Sequence, residues 1–578
     1  MGVNITSKAR QNRIKIAMVA LFALVLCMLT ATRSKSVSAH EFAENQWVDS
    51  IFMRLDLEQK IGQCFMLATR SDRDEAYYKQ TENLILKHNV GGLIFFQGTP
   101  YRQAALTNRY QRATKVPLLI GIDGEWGLAM RLDSVMGFPR QMTLGAITHD
   151  SLLFEMGDQI GQQCNRLGIH VNFAPVADIN SNPRNPVIGM RSFGEDRQNV
   201  TQKSLAYMGG LQHNKIITTA KHFPGHGDTS MDSHHTLPMV SRSADQLIYS
   251  DLYPFKCLIA GGVTGVITGH LQVPALENTP HLAASLSEKI VTQLLQKEMG
   301  FKGLIFTDAM NMRGVSQGRT PADANLKALI AGNDILLYPE SVAASIQTIK
   351  AAIESGIFKE EQLNFKVKKI LRAKYWAGLY RKQNIDLQNI STKINTPMAR
   401  EINDLLCQNA VTLLANQNQL LPLTPQFTDT LASVCIGLEY NNAFQNALNK
   451  YGCFKHVAFY TKPSSDEMVA QILARVSGAK TVVLSFHDTR KSLSQPYIFS
   501  SATLRLVSQL QQQSKVVLCF FAIPYPLQLL PETSVVVSAY EDSPAMNQAV
   551  VKLLFGEIKS KGKLPVSVND KFKIGHGL

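Results

Sequence analysis

The run Lys221–Pro238, KHFPGHGDTSMDSHHTLP, packs four histidines and two aspartates into eighteen residues beside an apolar segment. Its first half, His222-Phe223-Pro224-Gly225-His226-Gly227-Asp228, alternates polar side chains with turn formers, so the backbone must bend while side chains converge. Its second half holds Asp232-Ser233-His234, a carboxylate two residues from an imidazole. A carboxylate so placed fixes one imidazole tautomer and raises its basicity, which suits a histidine that moves protons. Asp308, at the end of Leu304-Ile305-Phe306-Thr307-Asp308, is a second candidate, a carboxylate presented by an apolar strand. An attacking carboxylate and a separate proton carrier are the minimal machinery for retaining cleavage of a glycosidic bond, although the proton carrier is usually a second carboxyl group.

These groups need a scaffold that brings distant residues to one rim. Apolar runs that suit buried parallel strands occur at Cys64–Leu67, Gly92–Phe96, Pro117–Asp123, His170–Val176, Ile216–His222, Val263–His270, Leu304–Asp308 and Asp334–Tyr338. Helical segments alternate with them: Tyr77–Lys87, Ser151–Leu167, Gln198–Gln212, Ala244–Ala260, Ser287–Met299 and Ala322–Ala331. A helix over Trp47–Leu67 precedes them, and Val342–Ser355 and Glu360–Ala377 follow. Eight strands alternating with helices predict an α/β fold, a (β/α)₈ TIM-like barrel, with an open doubly wound sheet as the competing topology. The barrel requires polar residues at the C-terminal ends of its strands. Asp123, Asp178, Lys221, His222, His270 and Asp308 stand there, while the strand bodies are apolar. Taken alone, His270 reads as a hydrogen-bonded core histidine.

The barrel is expected over residues 40–380, a polar linker over 381–397, and a smaller α/β sandwich domain over 398–578. Strands of that domain are predicted at Val411–Ala415, Ser433–Leu438, Thr481–Phe486, Lys515–Phe521 and Ser534–Ala539. Residues 1–39 read as a cleavable signal peptide. Lys8, Arg10, Arg13 and Lys15 precede the apolar run Ile16–Leu29, which is short for a bilayer span, and small residues follow at Ser36-Val37-Ser38-Ala39. Export to the periplasm or the extracellular space is the expectation, with no stable membrane span after cleavage. The formal charge of +14 falls to +8 without the six Lys/Arg of that segment, which holds no Asp/Glu. No dense basic run interleaved with aromatics is present, so nucleic acid is not an expected partner. Seven scattered cysteines remain after Cys27, an odd number without C-x-x-C spacing, which argues against a disulfide framework or a zinc site.

Lys221-His222-Phe223-Pro224-Gly225-His226-Gly227-Asp228-Thr229, followed by Asp232-Ser233-His234 and Leu237-Pro238, resembles the signature of the β-N-acetylglucosaminidases of glycoside hydrolase family three. Thr307-Asp308-Ala309-Met310 is similar to that family's nucleophile strand, Asp123-Gly124-Glu125 with Arg131 to its sugar-binding segment, and Arg191-Ser192-Phe193-Gly194-Glu195-Asp196 to another motif. Ala410–Asn416, Leu421-Pro422-Leu423 and Gly562–Val566 are family-like as well, so the resemblance spans nearly all of the chain beyond the leader. It implies that Asp308 is the nucleophile and His234 the general acid/base, assisted by Asp232. It also implies that Asp123, Arg131, Arg191, Lys221 and His222 hold the terminal sugar. The implied substrates are N-acetylglucosaminides such as muropeptides or chito-oligosaccharides, with no cofactor and no metal. Gly124 and Trp126 depart from many relatives, and His235 offers a second imidazole beside His234.

Three other readings compete. Relatives that cleave unsubstituted glucose or xylose take their acid/base from a glutamate outside the barrel, against which the Asp-Ser-His segment speaks. Some histidine-bearing relatives use phosphate as the acceptor. A metal-dependent amidohydrolase built on His222, His226, His234, His270 and Asp308 would be expected to start with His-x-His after the first strand, where this chain has Phe65-Met66-Leu67-Ala68.

Overall fold

The computed structural model describes residues 41–231, 237–316, 318–381, 383–424, 430–488 and 499–578. Eight strands form the first sheet: β1 Phe65–Thr69, β2 Gly92–Phe95, β3 Leu119–Ile122, β4 Val171–Asn172, β5 Ile217–Phe223, β6 Gly265–Thr268, β7 Leu304–Thr307 and β8 Leu336–Leu337. Each pairs in parallel with the next, and β8 returns to β1. A parallel bridge between Phe306 and Ile335 joins β7 to the start of β8 and closes the barrel. Helices cover the outside and packed side chains fill the inside, so these strands carry apolar residues on both faces rather than alternating. Phe173 and Phe306 meet edge-to-face in the interior, 5.3 Å between ring centres. All eight predicted strands are present; the open-sheet alternative is not.

One helix differs from expectation. The segment Trp47–Leu67 does not form a single helix: one helix covers residues 41–52, and a second, Leu57–Gly62, starts after Asp56. The Asp56 carboxylate accepts from Gln59 N while the Gln59 side chain accepts from Asp56 N, a reciprocal cap that starts a new helix where the polar run had looked like one continuous face. Elsewhere Thr-Pro or Ser-Pro pairs start helices at Pro100, Pro321, Pro397 and Pro544, the hydroxyl capping and the proline fitting the first turn.

The second sheet contains β9 Thr412–Asn416, β10 Leu431–Ile436, β11 Phe454–Phe459, β12 Thr481–His487, β13 Lys515–Phe521 and β14 Val535–Ser538, in the order β11-β10-β12-β13-β14-β9. Only β9 runs antiparallel, against β14. The sequence reading missed β11. It is the edge strand, half-exposed along FKHVAF, and its mixed polarity hides it from a search for apolar runs. Residues 383–396 run along the barrel's outer helices: Asn108 exchanges two hydrogen bonds with the Ile385 backbone, and Gln163 Nε2 donates to Ile394 O. The two sheets' domains also touch directly. Glu541 Oε2 accepts from Arg140 N at 2.8 Å and Thr143 Oγ1 at 2.7 Å, and Lys563 N donates to Ala146 O.

The helix Glu360–Trp376 reaches the N-terminal ends of β1 and β8, where Lys366, Lys369 and Lys374 bond to Asn333 O, Asp334 and Gln63. Its Lys374 is fully buried, with Nζ donating to Gln63 Oε1 at 2.6 Å. Burial pushes the ammonium down to about 7 from an ordinary 10.5. The folded chain therefore bears the full cost of a buried cation below pH 7, sheds it as pH rises toward 10.5, and is free of it above. Lys374→Met should stabilise the protein by about 1–3 kcal/mol at pH 6, with the gain shrinking toward zero near pH 10. Denaturant unfolding at the two pH values checks this; an equal effect at both would contradict it.

Candidate active site

The C-terminal ends of the strands open into a cavity of about 500 Å³ lined by Asp123, Glu125, Arg131, Arg191, Lys221, His222 and Asp308, among others. Asp123, Glu125, Lys221, His222 and Asp308 come from a strand end or the first residues of the loop after it, Arg131 lies nine residues past β3, and Arg191 lies on the loop after β4. The sequence KHFPGHG explains how β5 supplies two of them. Its register against β6 shifts between Ala220 and Phe223, which turns both Lys221 and His222 to the cavity instead of one to each face. The Lys221–His222 and Phe223–Pro224 peptides are cis. Gly225 has φ +130° with Asp251 packed beneath it, and a Cβ at Gly227 would stand 1.6 Å from Ile179 O, so this turn needs both glycines.

Two carboxylates, Glu125 buried and Asp123 partly exposed, organise the cations. Asp123 accepts from Arg131 at 2.6 Å and from Lys221 at 3.1 Å. Glu125, 1% exposed, pairs with Arg191 through two bonds of 2.9 and 2.7 Å and with Lys221 at 2.8 Å. Burial alone would push the Glu125 carboxyl up; the Arg191 and Lys221 charges override it and hold the group far below its ordinary value. Burial likewise opposes ionisation of Asp123, and Lys221 and Arg131 outweigh it. The Arg131 guanidinium also lies over the Phe96 ring, 4.7 Å from its centre.

His222 is oriented from behind by Asp178. Its Nδ1–H donates to Asp178 Oδ2 at 2.7 Å, and its backbone N–H and that of His226 point at the same carboxylate. Arg191 lies 3.4 Å from Nε2, and when the ring is neutral the guanidinium donates and Nε2 accepts. The sequence marks Asp178 as a strand-end residue and Glu125 as part of a motif, with no role for either. In sequence both are single carboxylates after apolar runs; their significance lies in partners 44 and 66 residues away.

Asp308 follows β7. Its backbone N donates to Thr268 O, and its Oδ1 accepts from Ala309 N at 2.8 Å. Burial pushes its carboxyl up, but the charge that His222 and His270 carry when protonated, the Ala309 N–H and the Lys221 ammonium hold it down at about 2. It caps no helix and is ionised at neutral pH. His270 is the buried core histidine the sequence suggested: Nδ1 accepts from Ser285 Oγ at 2.7 Å and Nε2–H donates to Ala309 O at 3.1 Å, which steadies the turn bearing Asp308. With both ring nitrogens committed, His270 has none left for the metal ligation that an amidohydrolase site would ask of it. Asp232, His234 and His235 lie outside the described residues. The neighbouring turn is tied down by Asn185, whose Nδ2 donates to His226 O and Gly227 O while Oδ1 accepts from Val187 N and Ile188 N.

Of the residues expected to hold a sugar, Asp123, Arg131, Arg191, Lys221 and His222 all line one cavity together with Asp308. Fold and site define a parallel-barrel enzyme with an ionised aspartate at the rim and an adjoining wall of paired charges. The profile of the glycosyl hydrolase family 3 N-terminal domain matches residues 56–373. Similarity continues beyond the barrel: a β-hexosaminidase A of Pseudoalteromonas piscicida is 30% identical over 549 residues, 85% of this chain and 91% of that one. The β-hexosaminidase LpqI of Mycobacterium tuberculosis is 32% identical over 314 residues, 52% of this chain and 78% of its own. A solved family 3 β-N-acetylglucosaminidase from Paenibacillus sp. str. FPU-7 superimposes with a TM-score of 0.77 at 30% identity, covering 89% of this chain and 99% of that one. The chain belongs to glycoside hydrolase family 3.

Proposed function

We propose that the protein is an exported retaining exo-glycosidase that removes terminal, non-reducing β-linked N-acetylglucosamine through a covalent glycosyl-aspartate, in cell-wall or other glycan turnover. The observation that carries this reading is an Asp308 carboxylate held ionised in the same cavity as the Asp123, Arg131, Arg191, Lys221 and His222 side chains. The names borne by similar proteins, β-hexosaminidase and β-N-acetylglucosaminidase, support the choice of sugar.

The charged wall binds hydroxyls by charge-assisted hydrogen bonds, strong enough to orient the ring and favour its distortion. Ala309 N holds Asp308 Oδ1, leaving Oδ2 to attack the anomeric carbon. As the glycosidic bond breaks, His234, assisted by Asp232, gives a proton to the departing oxygen. Water then attacks the glycosyl-aspartate and returns a proton to His234. A neutral imidazole in that role adds no second negative charge beside Asp308. Export rests on the N-terminal pattern of basic, apolar and small residues.

The test combines a panel of aryl β-glycosides (N-acetylglucosaminide, glucoside, xyloside) with a fluoro-sugar that traps the glycosyl-enzyme, the label then being located by mass spectrometry. Label on Asp308 and preference for the N-acetylglucosaminide are expected; label elsewhere, or faster glucoside cleavage, overturns the reading. N-terminal sequencing of protein recovered from the producing cells' exterior fractions tests export, a mature start near residue 40 being expected.

His234→Ala gives a sharper check on the proton carrier. Aryl substrates with good leaving groups should retain slow turnover, while disaccharides lose at least about 10²-fold more, since only they need the proton. Equal losses on both substrates would remove His234 from that role.

A further inference from the structure

The loop that carries Arg191 is held both by the barrel, through Asn185, and from outside it by the second domain. It runs from Asp178 to Glu195 and is stitched internally by Ser192 Oγ, which donates to Asp178 O and accepts from Gly194 N, and by Asn180 N, which donates to Gly194 O. Three contacts then fasten it to the second domain. The Asn180 Nδ2 donates to Tyr525 OH at 2.8 Å, just past β13. Glu195 N donates to Pro565 O at 3.1 Å, and Ser567 Oγ donates to Glu195 Oε1 at 2.6 Å. Gly194, at φ +136°, lies so close to Pro565 that a Cβ there would stand 2.3 Å from its carbonyl oxygen. Asn180 is fully buried and, among the described residues, its Oδ1 has no hydrogen-bond partner, so Tyr525 is what its side-chain amide binds.

We propose that Tyr525 and the segment Pro565–Ser567 are positioning residues for the catalytic barrel: the second domain sets the place of Arg191, and through it the substrate subsite, without touching the reacting atoms. Arg191 stands farther along its loop from the preceding strand than the other cavity cations, Arg131 and Lys221, do. Its two bonds to Glu125 and its approach to His222 Nε2 require its backbone to be held to a fraction of an ångström. Within the barrel, Asn185 and Asn182 anchor the middle of this eighteen-residue loop to the turn after β5, and the parts near its two ends, Asn180 and Glu195, are the ones the second domain fixes against the entropy of a segment with little regular structure.

The test is a double-mutant cycle on the full-length enzyme, read with whichever aryl glycoside it turns over best, so that its outcome is independent of which sugar is the natural one. Tyr525→Phe keeps the ring and removes the hydroxyl that Asn180 binds. Alone it should raise KM about tenfold with kcat changed less than about threefold and the thermal midpoint nearly unmoved. In an Arg191→Lys background the same substitution should cost less than about twofold, because the group it positions has already been replaced. Equal losses in both backgrounds, or wild-type KM for Tyr525→Phe, overturn the proposal. Ser567→Ala, at the other fastening point, keeps the question decidable if Tyr525→Phe fails to fold: it should raise KM in the same direction, and wild-type kinetics there would count against the clamp.

Discussion

Asp308→Ala is expected to lower kcat/KM for an aryl N-acetylglucosaminide by at least about 10⁴-fold, with the barrel still folded. The reasoning is local. Asp308 lies at the cavity, is held near a pKa of 2 against the pull of burial, and has one oxygen fixed by Ala309 N, the arrangement of a carboxylate kept charged and aimed. An alanine cannot form the ester, and the lost hydrogen bond to Ala309 N is intraresidue-adjacent, so little of the fold depends on it. The low pKa adds a second readout. With a leaving group that needs no proton, the rate of fluoro-sugar trapping by the wild-type protein should stay level from pH 8 down to about 4, since Asp308 remains ionised throughout. A trapping rate that falls with an apparent pKa between 5 and 7 would mean that the attacking carboxylate is not in the environment described.

The next largest effect is expected at Glu125, a residue that touches two substrate-binding cations. Glu125→Ala leaves the Arg191 guanidinium and the Lys221 ammonium close together without the carboxylate that joins them, and removing one partner of a buried ion pair typically costs about 3–5 kcal/mol. We expect that loss of stability together with a fall in kcat/KM of about 10²–10³-fold, because both cations shift from where the sugar needs them. Glu125→Gln keeps the shape and one acceptor oxygen, and should fall between wild type and alanine in both respects. Because its folded pKa is depressed, the stability Glu125 contributes is complete above its ordinary 4.5 and is lost only as pH falls through the folded value, so the difference between wild type and Glu125→Ala should be undiminished from pH 6 to 8. Thermal unfolding and steady-state kinetics on the three proteins check this; a Glu125→Ala enzyme with wild-type KM would show that the pair is structural alone.

Much of the barrel was legible because its physics is local and repeated. A parallel strand buried on both faces must be apolar throughout, so β1 to β8 show as short apolar runs, and a polar residue at the end of such a run marks the rim. Asp123, Lys221, His222 and Asp308 were visible on that ground, and the run Lys221–Asp228 announced a turn through its proline and glycines. The same logic failed where an element is not uniformly buried. β11, on the sheet edge, mixes Lys455 and His456 with Phe454 and Val457, and the helix expected over Trp47–Leu67 gave way to a cap at Asp56 that its polar neighbours concealed.

What the sequence by itself determined, then, is the alternating barrel, the second α/β unit and the chemistry available at the rim, since each follows from side-chain type and short-range spacing. Only the tertiary structure decided which charges are paired. Glu125 with Arg191 and Lys221, Asp178 with His222, and Asn180 with Tyr525 join residues 66, 96, 44 and 345 positions apart. Such pairings are set by strand order, register and the docking of two domains, and a carboxylate or an amide carries no mark in the chain of the partner that folding will bring to it.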